Sequence, residues 1–226
     1  MTRRTLALAA SPLALALTLA LALLSGPAAR AGDSKARDEL PDKAKSQFRV
    51  LVFKRGIASG FAHDHIMGVS DYQGAVHFDP ADLTKSSVSI VVQAASLQVL
   101  DSKLSEDDRK EVKGNMDSDD VLHVEKYKTI EFKSKTIKLI RSDPRKDGKG
   151  TEYRLKITGD LKLHGTTKPV TFAAVVTDHG GHLVTEGEAL VKQSLWGMEP
   201  YSAFLGAVGV KDVVKVTFKI VSKPKS

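Results

Sequence analysis

The sequence predicts an all-β fold: an extended antiparallel barrel of about eight strands, with one helix and an apolar lid loop. Three observations lead there. Apolar residues alternate with polar ones in short runs along most of the 226 residues. Turn residues punctuate those runs, and only one stretch shows helical spacing. No helical crossovers separate most of the strands, and closing an antiparallel sheet into a barrel is the natural way to remove its edges.

The clearest run is Glu152 to Val176. Tyr153, Leu155, Ile157, Gly159, Leu161 and Leu163 share one face, and Glu152, Arg154, Lys156, Thr158, Asp160, Lys162 and His164 the other. A period of two means a strand with one wet and one buried face. Gly165-Thr166-Thr167 turns the chain, and Pro169 opens a return strand carrying Val170, Phe172, Ala174 and Val176.

The other elements follow in chain order. Residues 1–31 read as a cleaved signal peptide: Arg3 and Arg4, an Ala/Leu run from Leu6 to Leu24, then Ala29-Arg30-Ala31. The expected product is periplasmic or secreted, cut near Ala31. Losing the three arginines of this segment takes the formal charge from +7 to +4. That balance favours solubility and carries no basic stripe for nucleic acid. With no cysteine, disulfides, thiolate metal sites and cysteine nucleophiles are excluded.

Residues 32–46 are polar and read as a disordered linker, so the domain spans 47–223. Strands are expected at Gln47–Lys54, Ser59–Met67, Tyr72–Phe78 and Val88–Ala94, with a turn at Asp79-Pro80-Ala81-Asp82. Ser105 caps a helix of about Glu106 to Asn115, with acids at its positive end and Leu104, Val112 and Met116 at near-helical spacing. The strand Thr129–Leu139 changes parity between Phe132 and Ile137, which a bulge near Ser134 reconciles. Arg141–Gly150 is a polar loop. After the long hairpin come a turn at Asp178–His182, a strand Leu183–Lys192, an apolar connection Gln193–Gly209 and a closing strand through Val214, Val216, Phe218 and Ile220.

Eight strands can just fill a barrel or leave room for one small ligand. Several inward positions are small: Gly74, Gly159, Ala174, Gly187 and Ala189. Glycines there fit either a lumen or bends at barrel corners. Together with an apolar lining they favour an elongated dry cavity. The connection after Gln193 holds the only tryptophan, Trp196, with Met198, Tyr201 and Phe204. An apolar loop must cover something, either the barrel end or a bound hydrocarbon. Lining candidates are therefore Phe61, Ile66 and Met67 near the first strands and Ile130, Phe132, Tyr153, Ile157 and Phe172 on the central ones. Trp196, Met198 and Phe204 from the lid and Phe218 from the last strand complete the set. His65 is a candidate head-group donor.

His63-Asp64-His65 puts two imidazoles on one strand face, where both reach a single metal, so a metal- or haem-binding protein using His63 and His65 is the alternative. No H-E-x-x-H spacing, serine elbow, phosphate loop or paired catalytic carboxylates accompany it, and no enzyme activity is expected.

Three segments resemble a known family. Gly159-Asp160-Leu161 with His164-Gly165-Thr166-Thr167-Lys168-Pro169-Val170 is similar to the G-D-L-x-x-H-G-x-T-x-P-V signature of YceI-like proteins. Phe78-Asp79-Pro80-Ala81-Asp82-Leu83 with Ser87-Val88-Ser89-Ile90, and Glu125-Lys126-Tyr127-Lys128-Thr129-Ile130-Glu131-Phe132-Lys133-Ser134, resemble two more of its segments. The chain departs from the pattern at Lys128, where proline is usual, at His63-Asp64-His65 and at Ser194-Leu195-Trp196-Gly197. The resemblance implies a periplasmic, lipocalin-like barrel holding a polyisoprenoid, a quinone-like molecule or another long-chain lipid, with no further cofactor. Expected partners are that isoprenoid or acyl-chain lipid, a membrane touched transiently, and a second copy in a homodimer.

Overall fold

A computed structural model describes residues 35–56 and 64–225. The segment expected to be a signal peptide, Phe61 and His63 lie outside the described residues.

Fourteen strands and one α-helix are present among them. The strands are β1 (Arg37–Pro41), β2 (Gln47–Val52), β3 (Lys54–Arg55), β4 (His65–Val69), β5 (Tyr72–Phe78), β6 (Ser87–Gln93) and β7 (Leu97–Val99), followed after the helix by β8 (Thr129–Pro144), β9 (Thr151–Leu163), β10 (Thr166–Asp178), β11 (Leu183–Lys192), β12 (Ser202–Ala203), β13 (Val208–Val210) and β14 (Val213–Pro224). The helix α1 is Glu106–Asp117. The main sheet runs β1-β5-β6-β8-β9-β10-β11-β14, and β14 pairs back to β1, which closes an eight-stranded antiparallel ring.

Three of the eight staves are interrupted. β1 and β2 both pair with β14, Glu39 opposite Pro224 and Phe48 opposite Phe218, with a turn at Asp42–Ser46 between them. β4 and β5 are two halves of the next stave, broken at Ser70-Asp71, and β6 and β7 are halves of the third. The breaks let one half tilt against the other. At the end where β7 lies, its described partner is β4 alone, and α1 packs alongside it. The helix fills this seam because Val112 and Met116, four residues apart, share a face, and both reach the interior. Its start is fixed by Ser105, whose hydroxyl accepts the Asp108 N–H at 3.1 Å, and by acids in the first turn.

Three expectations are corrected. The polar stretch assigned to a linker contains β1, a full member of the ring. Its sequence shows no apolar alternation because its inward residue is a carboxylate, Glu39, which is wholly buried. β8 continues five residues past Leu139, to Pro144. It carries the register shift expected near Ser134 and a second between Leu139 and Arg141. The connection after Gln193 is not merely a loop: β12 and β13 form a hairpin that adds to β3 as a separate three-stranded sheet.

The inward faces form two packed clusters. One joins Met67, Leu97, Met116, Leu122, Trp196 and Met198 at the helix end. The other joins Phe78, Leu83, Ile137, Leu155 and Leu183 at the far end. Between them an aromatic girdle runs round the inside of the barrel. Ring centroids lie 5.4 Å apart for Phe132–Phe172, 5.7 Å for Phe172–Phe218, 6.3 Å for Phe218–Phe48 and 4.9 Å for Phe48–Tyr72.

The girdle explains the glycines. A Cβ on Gly159 would sit 2.6 Å from the Phe132 ring, and one on Gly187 would sit 2.6 Å from the Phe218 ring. Large and small residues therefore alternate, Phe132, Gly159, Phe172, Gly187, Phe218, from β8 to β14. Each glycine seats a neighbouring ring. These positions are not themselves the open space, which corrects the reading of the glycines as cavity.

Candidate functional site

Between and around the girdle lies an elongated cavity of about 430 Å³. Its walls come from every stave. β9 contributes Leu155, Ile157, Leu161 and Leu163, β14 contributes Val214, Val216, Phe218 and Ile220, and β2 contributes Phe48, Val50 and Val52. Leu155 and Leu163 are eight steps apart, roughly 27 Å along the strand at ~3.4 Å per residue. With a strand tilt of about 40° this is roughly 20 Å along the barrel axis. The volume falls in the range of small-molecule sites, ~300–1,000 Å³. Its length suits an extended chain.

The girdle residues Phe48, Phe132, Phe172 and Phe218 face inward yet are only partly buried. Their remaining exposure is to this lumen. In a filled barrel the same positions would be closed off, because protein interiors pack to crystal-like density. Nothing along the middle of the wall can hydrogen-bond strongly except Thr185 on β11. A molecule in this part of the lumen would be held by apolar contact.

Polar lining groups fall at the two ends: His65, Glu111, Asn115 and Gln193 at the helix end, and His77, Ser86 and Ser87 at the other. His65 Nδ1 lies 2.8 Å from Asp101 Oδ2, and the other oxygen of Asp101 accepts the Ile66 N–H at 3.2 Å. The carboxylate thus fixes the imidazole and the start of β4 together. Gln193 Nε2 donates to the Lys211 carbonyl at 3.1 Å. Ser194 N–H and Oγ both donate to Asp212, at 2.8 and 2.6 Å. The Asp212 carboxyl lies below the usual range. Burial pushes it up, but the two Ser194 hydrogen bonds and the charges of Lys192 and Arg55 outweigh that. This clamp fastens the lid to the base of β14.

The far end is shut. Arg37 lies over the Phe78 ring at 5.0 Å and donates to Asp178 at 2.7 and 3.3 Å and to Glu39, which also accepts from Ser222. Glu39, Asp178 and Ser222 are buried. Burial alone would lower the Arg37 pKa, but hydrogen bonds and charge from Asp178 and Glu39 raise it overall. No apolar pattern marks these four residues, and sequence reasoning missed them.

Of the thirteen residues expected at the lining, His65, Met67, Ile130, Phe132, Ile157, Phe172, Met198 and Phe218 face the lumen. Four do not. Ile66 falls between His65 and Met67 on β4 and so points out of the barrel. Tyr153 is used at the shut end, with its ring edge-on to Phe78 at 5.7 Å. Trp196 is a structural peg beneath the lid, buried, with its indole N–H donating to the Leu161 carbonyl at 3.1 Å. Phe204 is 82% exposed, because it and Leu205 take positive φ values of 50° and 54° and turn outward. Phe61 falls outside the described residues.

Lining residues not singled out beforehand include Val50, Val216, Val112 and Leu122. The alternation of β2 and β14 and the i, i+4 pair of α1 were the available signals. Among the described residues no group of three or more His, Asp or Glu side chains could hold a metal ion. His63, half of the histidine alternative, is not among them.

The YceI-like domain family model matches residues 42–222. Among curated relatives, a UPF0312 protein of Ectopseudomonas mendocina is 33% identical over 160 residues, covering 70% of this chain and 72% of that one. A UPF0312 protein of Serratia proteamaculans is 30% identical over 167 residues, covering 74% and 72%. Among solved structures, BcnA of Burkholderia cenocepacia superposes with a TM-score of 0.60 at 20% identity, over 80% of this chain and 98% of that one. A polyisoprenoid binding domain from Saccharophagus degradans gives a TM-score of 0.58 at 13% identity, over 84% and 99%.

Proposed function

The chain belongs to the YceI-like family, and on that premise we propose that it is an exported binding protein. It holds a polyisoprenoid, a quinone-like molecule or another long-chain lipid in its barrel lumen. The observation that carries this is the continuous apolar wall from Leu155 and Leu183 to Val214 and Met198, enclosing about 430 Å³. The Saccharophagus degradans domain, named for polyisoprenoid binding, has the same fold and supports this class of ligand. Export rests on Arg3, Arg4, the Leu6–Leu24 run and Ala29-Arg30-Ala31.

Binding of this kind is driven by apolar area, about 0.8 kcal/mol per methylene. The chain enters the lumen, and its polar head stays at the helix end among His65, Asn115 and Gln193. Selectivity then comes from chain length, set by where Phe78, Leu83 and Leu183 shut the barrel.

A displacement titration with a homologous series of alkyl or prenyl chains tests this. Affinity is expected to rise roughly fourfold per added methylene until the chain fills the lumen, then to level off. Affinity that does not depend on chain length would contradict a lumenal site.

A further inference from the structure

The hairpin of β12 and β13 stands at the mouth of the lumen with its base inside and its tip outside. At the base, Tyr201 and Val210 line the cavity, and the Val210 N–H donates to the Tyr201 carbonyl at 3.0 Å. At the tip, Phe204 and Leu205 are the most exposed large apolar side chains among the described residues. Both adopt left-handed backbone conformations, φ 50° and 54°, followed by Gly206 at 88°. For bulky residues this region is strained. Among the described residues no packing repays the strain, since both side chains are exposed. The turn is held in place from below. β13 pairs with β3, Gly209 opposite Arg55, and Gly56 packs so tightly on Ala207 that a Cβ there would sit 2.3 Å from its carbonyl oxygen.

The segments that carry the tip are rich in cations. Residues 53–56 and 201–211 include Lys54, Arg55 and Lys211 and no acid. Two carboxylates that flank these segments are engaged elsewhere. Asp212 is clamped to Ser194, and Asp64 accepts the Lys54 N–H at 2.9 Å.

We propose that this hairpin is a membrane-docking prong. Phe204 and Leu205 enter the interfacial region of a bilayer, and Arg55 and Lys211 meet anionic headgroups. A strained turn that presents two bulky apolar side chains, flanked by cations, has the chemistry of a lipid surface. Two side chains expose far less than the ~800 Å² per partner of a standard protein interface, which argues against a second copy as the occupant. Docking there brings the mouth lined by Tyr201 and Val210 against the bilayer, so a long chain can pass between membrane and lumen without crossing water. The purpose rests on the lumen reading. The docking itself does not, and the two can fail separately.

The test uses protein processed in an exporting host and vesicles of phosphatidylcholine with 30% phosphatidylglycerol. Wild type, the double variant Phe204→Ser/Leu205→Ser and the double variant Arg55→Ala/Lys211→Ala are sedimented with vesicles, and each is assayed for chain binding in solution. Wild type is expected to sediment, less so as salt is raised. The apolar variant should bind vesicles at least tenfold more weakly and the charge variant several-fold more weakly, with chain affinity in solution unchanged for both. Wild type remaining in the supernatant, or a Phe204→Ser/Leu205→Ser variant that sediments like wild type, overturns the proposal. So does a concentration-dependent dimer that this variant abolishes, which would assign the prong to a second copy. Loss of chain binding by wild type in solution would instead count against the lumen reading.

Discussion

Replacing Ala189 by phenylalanine should block the lumen while leaving the barrel folded. Ala189 faces inward on β11, opposite Val216 on β14, and both line the cavity. Gly187, two residues before it, seats the Phe218 ring. A ring at 189 would extend the girdle across the channel. If it displaces four methylenes of a bound chain, the loss is about 3 kcal/mol, roughly 200-fold in affinity. The substitution fills a cavity instead of crowding a packed core, so the melting temperature should hold or rise slightly. Leu190 is the control. It is the next residue, on the outer face and exposed, pairing with Lys215, and Leu190→Phe adds a ring where no ligand lies. Chain affinity and melting temperature of both variants decide the matter, with a length series locating the new plateau at shorter chains. Ala189→Phe binding as wild type does, or Leu190→Phe losing as much, would refute the assignment of the lumen as the site.

Arg37→Met should cost about 3–5 kcal/mol by leaving Glu39 and Asp178 buried without their cation. That corresponds to a melting point lower by about 10 °C in calorimetry, and adding Glu39→Gln and Asp178→Asn should restore part of the loss. Gly159→Ala should destabilise by about 1–3 kcal/mol, because its Cβ would lie 2.4 Å from the Lys133 carbonyl oxygen. Gly114→Ala on α1, where a Cβ meets nothing within 4 Å, should stabilise by about 0.5–1 kcal/mol; denaturant unfolding of the pair separates the two. The Asp212 clamp should also make the lid acid-sensitive. Its folded pKa is depressed, so its contribution is present above the unfolded value, about 3.9, and is lost as pH falls through the folded one. Fluorescence of Trp196, the single tryptophan, should shift to the red in that window, and Asp212→Asn should show the lid already loosened near neutral pH.

Much of the barrel was legible because strands with one wet face write themselves as alternation. β9 and β10 pair residue for residue from Leu163–Thr166 to Thr151–Asp178, as the pattern from Tyr153 to Val176 requires. The bulge after Ser134 was legible for the same reason, since only an inserted residue returns Ile137 to the inner face. β1 was not legible. Its inward side chain is Glu39, whose burial depends on Arg37, Asp178 and Ser222, partners up to 183 positions away. The site was legible as a face but not as a volume. Alternation puts Met67, Ile157 and Phe218 inside, but it cannot say whether Gly159 leaves a hole or seats a ring. That depends on the rotamer of Phe132 on the next strand. Loop residues were hardest. Trp196 and Phe204 look alike in sequence, one a buried peg and the other turned outward by two left-handed residues.

Native mass spectrometry of the protein recovered from its own compartment, followed by solvent extraction of whatever leaves, tests the central claim most directly. The expected result is an added mass of a few hundred daltons that proves to be a long apolar chain and is lost in Ala189→Phe. Contradiction would be a bare chain, with no extractable lipid and no rise in melting temperature on adding prenyl or acyl chains of any length.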